Sequence, residues 1–375
     1  MLRRPSGPQE GLRQVQEAGG GLRGDGSSGL DGAHAPWRPL GLRAEEALSP
    51  SASLKEALEA ASQLKRFEGI LFYAPGFRRY EAAGFHSTPH SFPAISVTGR
   101  RCALNCEHCR GIILRHMTPA TTPQALYEAC LEAWRRGGTG VLVSGGSTLD
   151  GSVPLEPFLP TLAKVKRELG LTVVVHTGLV SEEVARGMAE AGVDAAMMDV
   201  VGDEETALKV LHLKASPADF ERSLSLLERY GVPSVPHVVV GLHYGELRGE
   251  LKSLEIISRH KPSAVVAVAL TPLPGTGMEG VRPPSPEAVA RVLAAARLMM
   301  PDVPLALGCA RPLGDHRVEL DRLALELGVD AIAFPSEEAV EEARRLGLRA
   351  RFLASCCSQV YLDAAASPRV LGRGG

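Results

Sequence analysis

The alternation of short apolar runs with amphipathic segments, from residue 94 to residue 346, most constrains how this chain can fold. Eight runs rich in Val, Ile, Leu and Ala have the length of strands, at residues 94–97, 141–144, 172–176, 195–200, 235–240, 264–270, 305–308 and 331–334. Continuous apolar strands are typical of parallel sheets, which are buried on both faces. Eight strand–helix units in roughly 250 residues fit a closed barrel. We therefore predict an α/β fold, a (β/α)8 barrel of the TIM type.

Helical periodicity fills the stretches between these runs. Apolar residues recur every three to four positions in the segments 123–136, 155–169, 181–191, 216–230, 247–260, 286–298, 317–327 and 337–346. A further helix is predicted at 51–67, and the aromatic-rich segment 70–80 is interpreted as packing or as a lid over the barrel mouth. In such a barrel the chemistry lies on the loops that follow the strands.

Residues 1–50 differ in composition from the rest. Their glycine clusters cannot build a core, so we predict a disordered low-complexity extension. One barrel domain follows at 51–375 and includes a C-terminal cysteine-containing tail. The formal net charge of −2 favours neither a nucleic-acid nor a membrane surface. No apolar run could span a bilayer and the start lacks the apolar segment of a secretory signal, so we expect a cytoplasmic protein.

Three cysteines lie within eight residues directly after the first predicted strand. Cys102, Cys106 and Cys109 have the spacing C-x3-C-x2-C, so three thiolates on one loop can reach a common centre. Iron–sulfur clusters usually have four thiolate ligands, and three would leave one iron free for another ligand. A zinc site that joins Cys106 and Cys109 to His86 and His90 is the alternative, but it leaves Cys102 without a role. Disulfides are not favoured, because the number of cysteines, 7, is odd and no secretory signal precedes them.

The C-x3-C-x2-C loop after a first strand resembles that of the radical S-adenosylmethionine (radical SAM) superfamily. The resemblance implies a [4Fe–4S] cluster on the three cysteines and S-adenosylmethionine on the free iron. It also implies cleavage of S-adenosylmethionine to methionine and a 5′-deoxyadenosyl radical, which abstracts hydrogen from the substrate. His108 occupies the position before the third cysteine, where the family usually has an aromatic residue.

Glycine and polar residues follow several of the predicted strands. The superfamily resemblance implies that these residues bind S-adenosylmethionine: the glycines through close backbone approach, and an acidic residue through the ribose hydroxyls. The candidates are Gly145, Gly146, Ser147, Asp199, Gly241 and Gly275. Ser147 stands where the family's Gly-Gly-Glu motif has Glu. A tight turn is the alternative explanation for the glycines, although their position after the strands favours ligand binding. For the carboxylates near Asp199 the alternative is a solvated helix start, with Asp203 as its N-cap.

Three more cysteines form a second candidate site. Cys309 follows the seventh strand, and the adjacent pair Cys356 and Cys357 lies in the tail. If the tail crosses the barrel rim, these thiols could hold an auxiliary iron–sulfur cluster. Its fourth ligand would be Arg311 or a serine, Ser355 or Ser358. The alternative is a buried apolar thiol and a vicinal pair without metal. Cys130 lies on the apolar stripe of a helix and is assigned to the core.

The segments 92–99, 117–123 and 144–154, together with the cysteine loop, resemble one component of the two-subunit lipoyl synthases, within the biotin synthase-like group. The resemblance implies sulfur insertion into an octanoyl chain carried on a protein. It implies as partners an octanoylated carrier protein and a second radical SAM subunit. Reduction of such a cluster needs a low-potential donor, so we also expect a ferredoxin or flavodoxin as electron donor. Methylation or isomerisation of a small-molecule substrate is the second hypothesis, and a zinc-stabilised scaffold without catalysis is the third.

Overall fold

The computed structural model describes residues 42–65, 67–76, 79–82 and 84–365. Most of the predicted disordered extension, residues 1–41, lies outside this part. Its last residues are ordered, however, and that portion of the prediction is wrong. Ala44–Leu48 forms a short helix with Ala47 buried, and the Arg291 guanidinium donates hydrogen bonds to the carbonyls of Ala47 and Ala52. A five-residue helix is too short for its periodicity to be recognised in the sequence.

Helices and strands alternate along the rest of the chain. The helices are α1 Ala44–Leu48, α2 Leu54–Ser62, α3 Pro123–Arg135, α4 Leu159–Leu169, α5 Glu182–Ala191, α6 Glu204–Val210, α7 Pro217–Arg229, α8 Glu250–Ser258, α9 Pro286–Met299, α10 Asp315–Leu327, α11 Glu337–Arg345 and α12 Val360–Ala365. The strands are β1 Gly69–Tyr73, β2 Glu81–Ala82, β3 Phe85–His86, β4 Ala94–Ser96, β5 Thr118–Pro119, β6 Gly140–Ser144, β7 Thr172–His176, β8 Ala195–Asp199, β9 Ser234–Val240, β10 Val265–Ala269, β11 Leu305–Leu307, β12 Ala331–Ala333 and β13 Arg349–Leu353.

One curled parallel sheet contains all eight predicted strands, and the α/β barrel fold is confirmed. The strand order is β5-β4-β6-β7-β8-β9-β10-β11-β12-β1-β13. Among the described residues the sheet does not close into the predicted ring, because β12 pairs with β1 and not with β4, and β5 and β13 form its two edges. The first four residues of the aromatic-rich segment 70–80 therefore belong to a strand, β1. Its other neighbour is β13, with Phe72 opposite Phe352.

The two faces of the sheet carry separate apolar clusters. The outer face packs against the helices. On the inner face, alternate strand residues such as Leu71, Val174 and Val266 form a smaller buried group, here called the inner cluster. A one-turn 3-10 helix, Cys357–Gln359, lies against β8, β10 and β12 on this inner face. The C-terminal tail therefore crosses the inside of the curled sheet. In the described part of the chain no helix combines the length and apolarity needed to cross a bilayer.

Candidate active site

The cysteine loop follows β4 and is compact. Cys106 and Cys109 are buried, while Cys102 is half-buried. The loop turns through left-handed backbone at Asn105 (φ 48°) and Arg110 (φ 42°). Asn adopts this region more readily than most residues, because its short polar side chain can bond locally. The backbone turns thus direct two buried sulfurs towards the same place.

Hydrogen bonds hold this loop from the side of α6. The Glu107 N–H donates to the Val210 carbonyl at 2.8 Å. The Cys106 thiol lies 3.4 Å from the Leu211 carbonyl, and a His212 ring nitrogen lies 2.9 Å from the Leu104 carbonyl. The segment that ends α6 therefore fixes the middle of the cysteine loop.

Cys106, His108 and Cys109 form a group whose ligand atoms all lie within 4.8 Å of one another. The Cys106 thiol hydrogen-bonds to Cys109, which lowers the pKa of Cys109 to about 4 and raises that of Cys106. Burial opposes charge on His108, but its hydrogen bond with Cys109 raises its pKa. The Nδ1 atom of His108 is buried without a partner in the described part of the chain. Thiolate donors with an unsatisfied buried nitrogen beside them fit a soft metal centre.

The alternative zinc ligand set is not assembled. A His86 ring nitrogen lies 3.5 Å from a Glu81 oxygen, and a His90 ring nitrogen lies 2.7 Å from the Arg136 guanidinium. Neither histidine belongs to the group of ligand atoms found among the described residues. The geometry therefore does not support the zinc set. It brings Cys106 and Cys109 together with His108, whereas Cys102 is not part of that group, and its role as a third ligand stays a prediction.

Gly146 supports the cysteine loop from the side of β6. A Cβ atom added at Gly146 would lie 2.1 Å from the Arg101 carbonyl oxygen and 2.6 Å from the Cys102 Cα atom. The Gly146 N–H donates to the Thr98 hydroxyl at 2.7 Å, and the Ser147 carbonyl accepts from the Ala103 N–H at 2.8 Å. The close approach expected at Gly145 and Gly146 thus exists here, between the glycine backbone and the cysteine loop itself. Their binding of S-adenosylmethionine stays a prediction.

Asp199, at the end of β8, lies beside two histidines on neighbouring strands. Its carboxylate is 3.7 Å from His176 Nε2, at the end of β7, and the rings of His176 and His237 are 5.7 Å apart. Burial opposes charge on Asp199, but the contact with His176 lowers the pKa of Asp199 to about 2 and raises that of His176. Burial lowers the pKa of His237 to about 4. The Asp199 carboxylate, a His176 imidazole that favours the protonated form and a His237 imidazole that favours the neutral form therefore lie together on the inner face.

Sequence reasoning missed His176 and assigned His237 to the core. For His176 the available signal was its position at the carboxyl end of β7, whereas His237 lies in the middle of β9 and carried no such signal. The expected helix start after Asp199 is present, because the Asp203 carboxylate accepts from the Thr206 N–H at 2.8 Å and caps α6. Asp199 itself lies outside that helix, and its contact with the ribose stays a prediction.

Gly241 and Gly275 both have left-handed backbone, with φ 73° and φ 78°. The Gly241 N–H donates to the buried Glu250 carboxylate at 2.8 Å. The Gly275 N–H donates to Glu279 at 3.0 Å, and a Cβ at Gly275 would lie 3.7 Å from Ile112 of the cysteine loop. The loop after β10 therefore touches the cysteine loop, as the prediction of a shared site requires.

The second set of cysteines lies on the inner face, although the three are not among the described groups whose ligand atoms all lie within 4.8 Å of one another. Cys356 and Cys357 belong to the inner cluster, and Cys309 packs against it. The hydrogen bond from the neighbouring Cys357 thiol lowers the pKa of Cys356 to about 7. Burial raises the pKa of Cys309 to about 11, with a further contribution from Cys356. The tail thus crosses the inside of the barrel and brings its thiols towards Cys309.

Arg311 is unsuited to be a metal ligand. Its side chain is fully buried and paired with Asp321 at 2.8 Å, and its other donors bond to the carbonyls of Gly308, Ala333 and Phe334. It fixes the ends of β11 and β12 and has no free electron pair at neutral pH. Ser358 Oγ, in contrast, is buried without a hydrogen-bond partner in the described part of the chain.

Comparison with protein families matches residues 96–252 to the radical SAM superfamily. Among curated proteins, the biotin synthase of Synechococcus sp. (strain CC9311) is 25% identical over 308 residues, which cover 76% of this chain and 90% of that protein. The biotin synthase of Halorhodospira halophila (strain DSM 244 / SL1) is 26% identical over 272 residues, which cover 68% and 80%. The similarity is low but extends over most of both chains.

Two solved structures share the fold. Methylornithine synthase (PylB) superposes with a TM-score of 0.56 at 16% identity and covers 82% of this chain and 93% of its own. The FeFe-hydrogenase maturase HydG from Carboxydothermus hydrogenoformans has a TM-score of 0.57 at 13% identity, with coverage of 85% and 77%. At these identities the likeness concerns the fold alone.

Proposed function

The chain belongs to the radical SAM superfamily through residues 96–252, and from this premise we propose that it inserts sulfur into an octanoyl chain carried on a protein. The superfamily works with a [4Fe–4S] cluster and S-adenosylmethionine, and both predicted cofactors are confirmed at that level. Cys102, Cys106 and Cys109 would hold the cluster. When bound, it supplies the electron that cleaves S-adenosylmethionine to the radical that abstracts hydrogen from substrate.

The second set of thiols carries the proposal. Sulfur insertion needs a sulfur source, and an auxiliary iron–sulfur cluster contains inorganic sulfide. Cys309, Cys356 and Cys357 lie on the inner face of the sheet, the face that also presents Asp199 and His176. The depressed pKa of Cys356 favours the thiolate that metal binding requires. Ser358 Oγ is a candidate for the fourth ligand, because it is buried and unpartnered among the described residues.

The inner face is also compatible with an alkyl substrate. Its strand residues are mostly aliphatic, and aromatic rings are few on the strands β6 to β12. A flexible acyl chain gains free energy from such surroundings by removal of its methylenes from water, at roughly 0.8 kcal/mol per methylene. The proposed partners are an octanoylated carrier protein and a second radical SAM subunit.

Anaerobic iron and sulfide analysis with Mössbauer spectroscopy tests this proposal. The reconstituted wild type is compared with a Cys309→Ala/Cys356→Ala/Cys357→Ala variant, and Cys130→Ala serves as the control because Cys130 is fully buried on α3. We expect two clusters in the wild type and in the control, and one in the triple variant. One cluster in all three proteins would refute the auxiliary site and remove the sulfur source.

A second candidate function is radical chemistry on a polar small molecule, such as methylation or isomerisation. The Asp199, His176 and His237 group favours it, because two imidazoles and a carboxylate can hold a polar substrate beside the cysteine loop. The two candidates are separated by incubation with the octanoylated carrier protein and, in parallel, with the same carrier protein whose lysine is unmodified. If 5′-deoxyadenosine forms only when the octanoyl group is present, sulfur insertion is supported. If it forms equally with and without the octanoyl group, the second candidate is supported.

A further inference from the structure

Glu107 lies in the cysteine loop between Cys106 and Cys109 and is half-buried. One of its carboxylate oxygens, Oε1, is 3.1 Å from Nε2 of His212, two residues after the end of α6. The other oxygen, Oε2, is 3.5 Å from the Arg110 guanidinium. The carboxylate is therefore held from two sides, and one of its two partners belongs to a different part of the chain.

The Glu107 carboxylate also packs against the loop that follows β10. We call residues 271–281 the β10 loop. A Cβ atom added at Gly277 of this loop would lie 1.5 Å from Glu107 Oε2 and 2.7 Å from the carboxyl carbon. The carboxylate therefore fills the space that a side chain at position 277 would take. Met278, the next residue, is fully buried, so this part of the β10 loop is fixed on the core.

His212 occupies a backbone position where most helices have glycine. It follows Leu211, the C-cap of α6, and is left-handed with φ 55°. A Cβ atom opposes this conformation, which is why glycine is the usual residue directly after a helix C-cap. The imidazole supplies a reason for the exception, because one ring nitrogen is 2.9 Å from the Leu104 carbonyl and the other contacts Glu107. Both nitrogens of the ring thus contact the cysteine loop.

We propose that Glu107, His212 and Gly277 form a clamp that positions the cysteine loop against the β10 loop and couples the order of the two loops. His212 holds the Glu107 carboxylate on Gly277, and Glu107 is carried by the same short loop as the cysteines. When those cysteines are fixed by a bound cluster, the carboxylate is fixed as well, and with it the β10 loop, which contains Gly275, a predicted contact of S-adenosylmethionine. Glu107 and His212 are therefore positioning residues. The inference requires a cluster on the cysteine loop and is independent of sulfur insertion.

A second contact joins the same two loops and must be separated from the clamp. A Cβ atom at Gly275 would lie 3.7 Å from Ile112, which is an ordinary van der Waals distance. The clamp is more specific, because the Glu107 carboxylate is hydrogen-bonded to His212 and packed on Gly277 at the same time. The two routes predict different results when position 277 acquires a side chain.

The test compares two clamp variants with a control from the same loop. In Gly277→Ala the nearest obstructing atoms are the end of the flexible Glu107 side chain and not backbone, so the chain can fold while the carboxylate moves away from His212. His212→Gly removes the ring and retains the left-handed backbone. Gly280→Ala is the control, because a Cβ atom there meets nothing within 4 Å. Hydrogen exchange with mass spectrometry is measured on the full-length proteins, both cluster-free and anaerobically reconstituted.

In the wild type and in Gly280→Ala, reconstitution should slow exchange in the β10 loop by about 5-fold or more, the lower end of typical coupling between two sites. This slowing should disappear in Gly277→Ala and in His212→Gly. In the cluster-free clamp variants, the cysteine loop itself should exchange about 10-fold faster than in the wild type, because a hydrogen bond to a charged group is lost. Exchange in α9 should be equal in all proteins, which shows that each variant is folded.

The double variant Gly277→Ala/His212→Gly should behave as the single variants do, because both substitutions disrupt one clamp. Slowing that persists in both single variants would overturn the proposal and assign the coupling to the contact with Ile112. Additive effects in the double variant would also overturn it. So would unchanged exchange of the cluster-free cysteine loop, a measurement that needs no iron and decides the proposal even if a variant binds the cluster poorly.

Discussion

The contact between Gly146 and the cysteine loop gives the sharpest prediction about the site. Replacement of Gly146 by Ala would place a Cβ atom 2.1 Å from the Arg101 carbonyl oxygen, whereas a relaxed carbon–oxygen contact is about 3.3 Å. The obstructing atoms include backbone, so no rotamer change can relieve the overlap. The loop must move by about 1.2 Å, and overpacking of this kind costs about 1–3 kcal/mol.

The displaced segment begins the loop that holds the cluster, and metal centres tolerate ligand errors of only about 0.2 Å. We therefore expect Gly146→Ala to retain iron much less well than wild type during competition with a chelator, by about 10- to 100-fold in apparent affinity. Gly280→Ala is the matched control, because a Cβ at Gly280 meets nothing within 4 Å and its φ is not positive. Gly145→Ala should be intermediate, since its nearest neighbour is the side chain of Thr98 at 3.0 Å. Equal iron retention in Gly146→Ala and Gly280→Ala would refute the reasoning.

Three further predictions concern the surroundings of the site. Arg311→Met should lower the free energy of unfolding by about 3–5 kcal/mol, because it leaves the Asp321 carboxylate buried without its partner. The double variant Arg311→Met/Asp321→Leu should recover much of that stability. Urea denaturation of the cluster-free protein measures the free energy of unfolding of both variants. His237 is protonated with a pKa of about 4 in the folded chain and about 6.5 in the unfolded chain. The unfolded state therefore takes up protons first as pH falls, and between pH 7 and pH 5 the wild type should lose up to about 2 kcal/mol that His237→Gln retains. Tyr73→Phe removes the 2.7 Å hydrogen bond from the tyrosine hydroxyl to Asp363. The free energy of local opening of the tail should fall by about 1.5 kcal/mol, so its amide hydrogens should exchange faster. Unchanged exchange would show that this hydrogen bond does not anchor the tail.

The alternation of strands and helices could be predicted because a strand that is buried on both faces consists of an unbroken run of apolar residues. Strands such as Thr172–His176 and helices such as Pro123–Arg135 are present within one residue of their expected limits. β13 was not predicted, since its residues Arg349–Leu353 are largely exposed and include two arginines. The open arrangement of the sheet was not predicted either, because the strand that pairs with β12 is set by long-range packing and not by local pattern.

The site could be predicted where chain spacing alone brings groups together. Cys106 and Cys109 lie together because one short loop carries them, so their spacing along the chain was sufficient, whereas Cys102 lies outside that group of ligand atoms and its role stays a prediction. The meeting of His176 with Asp199 depends instead on the register between two strands, in which Met197 and not Asp199 lies opposite His176. A contact between residues offset in register is invisible in a single sequence. The same holds for Gly146, whose close neighbour turned out to be the cysteine loop.

The strands that sequence reasoning missed are those that bring the second set of thiols to the inner face. β13 ends at Leu353, three residues before Cys356, and it pairs along its length with β1. β1 also supplies the Tyr73 hydroxyl that holds Asp363 of α12 beyond the cysteine pair. The tail is therefore anchored on both sides of Cys356 by β1. A segment before the cysteine loop in sequence thus controls the position of thiols near the end of the chain, and an auxiliary site would require β1 as much as the cysteines themselves.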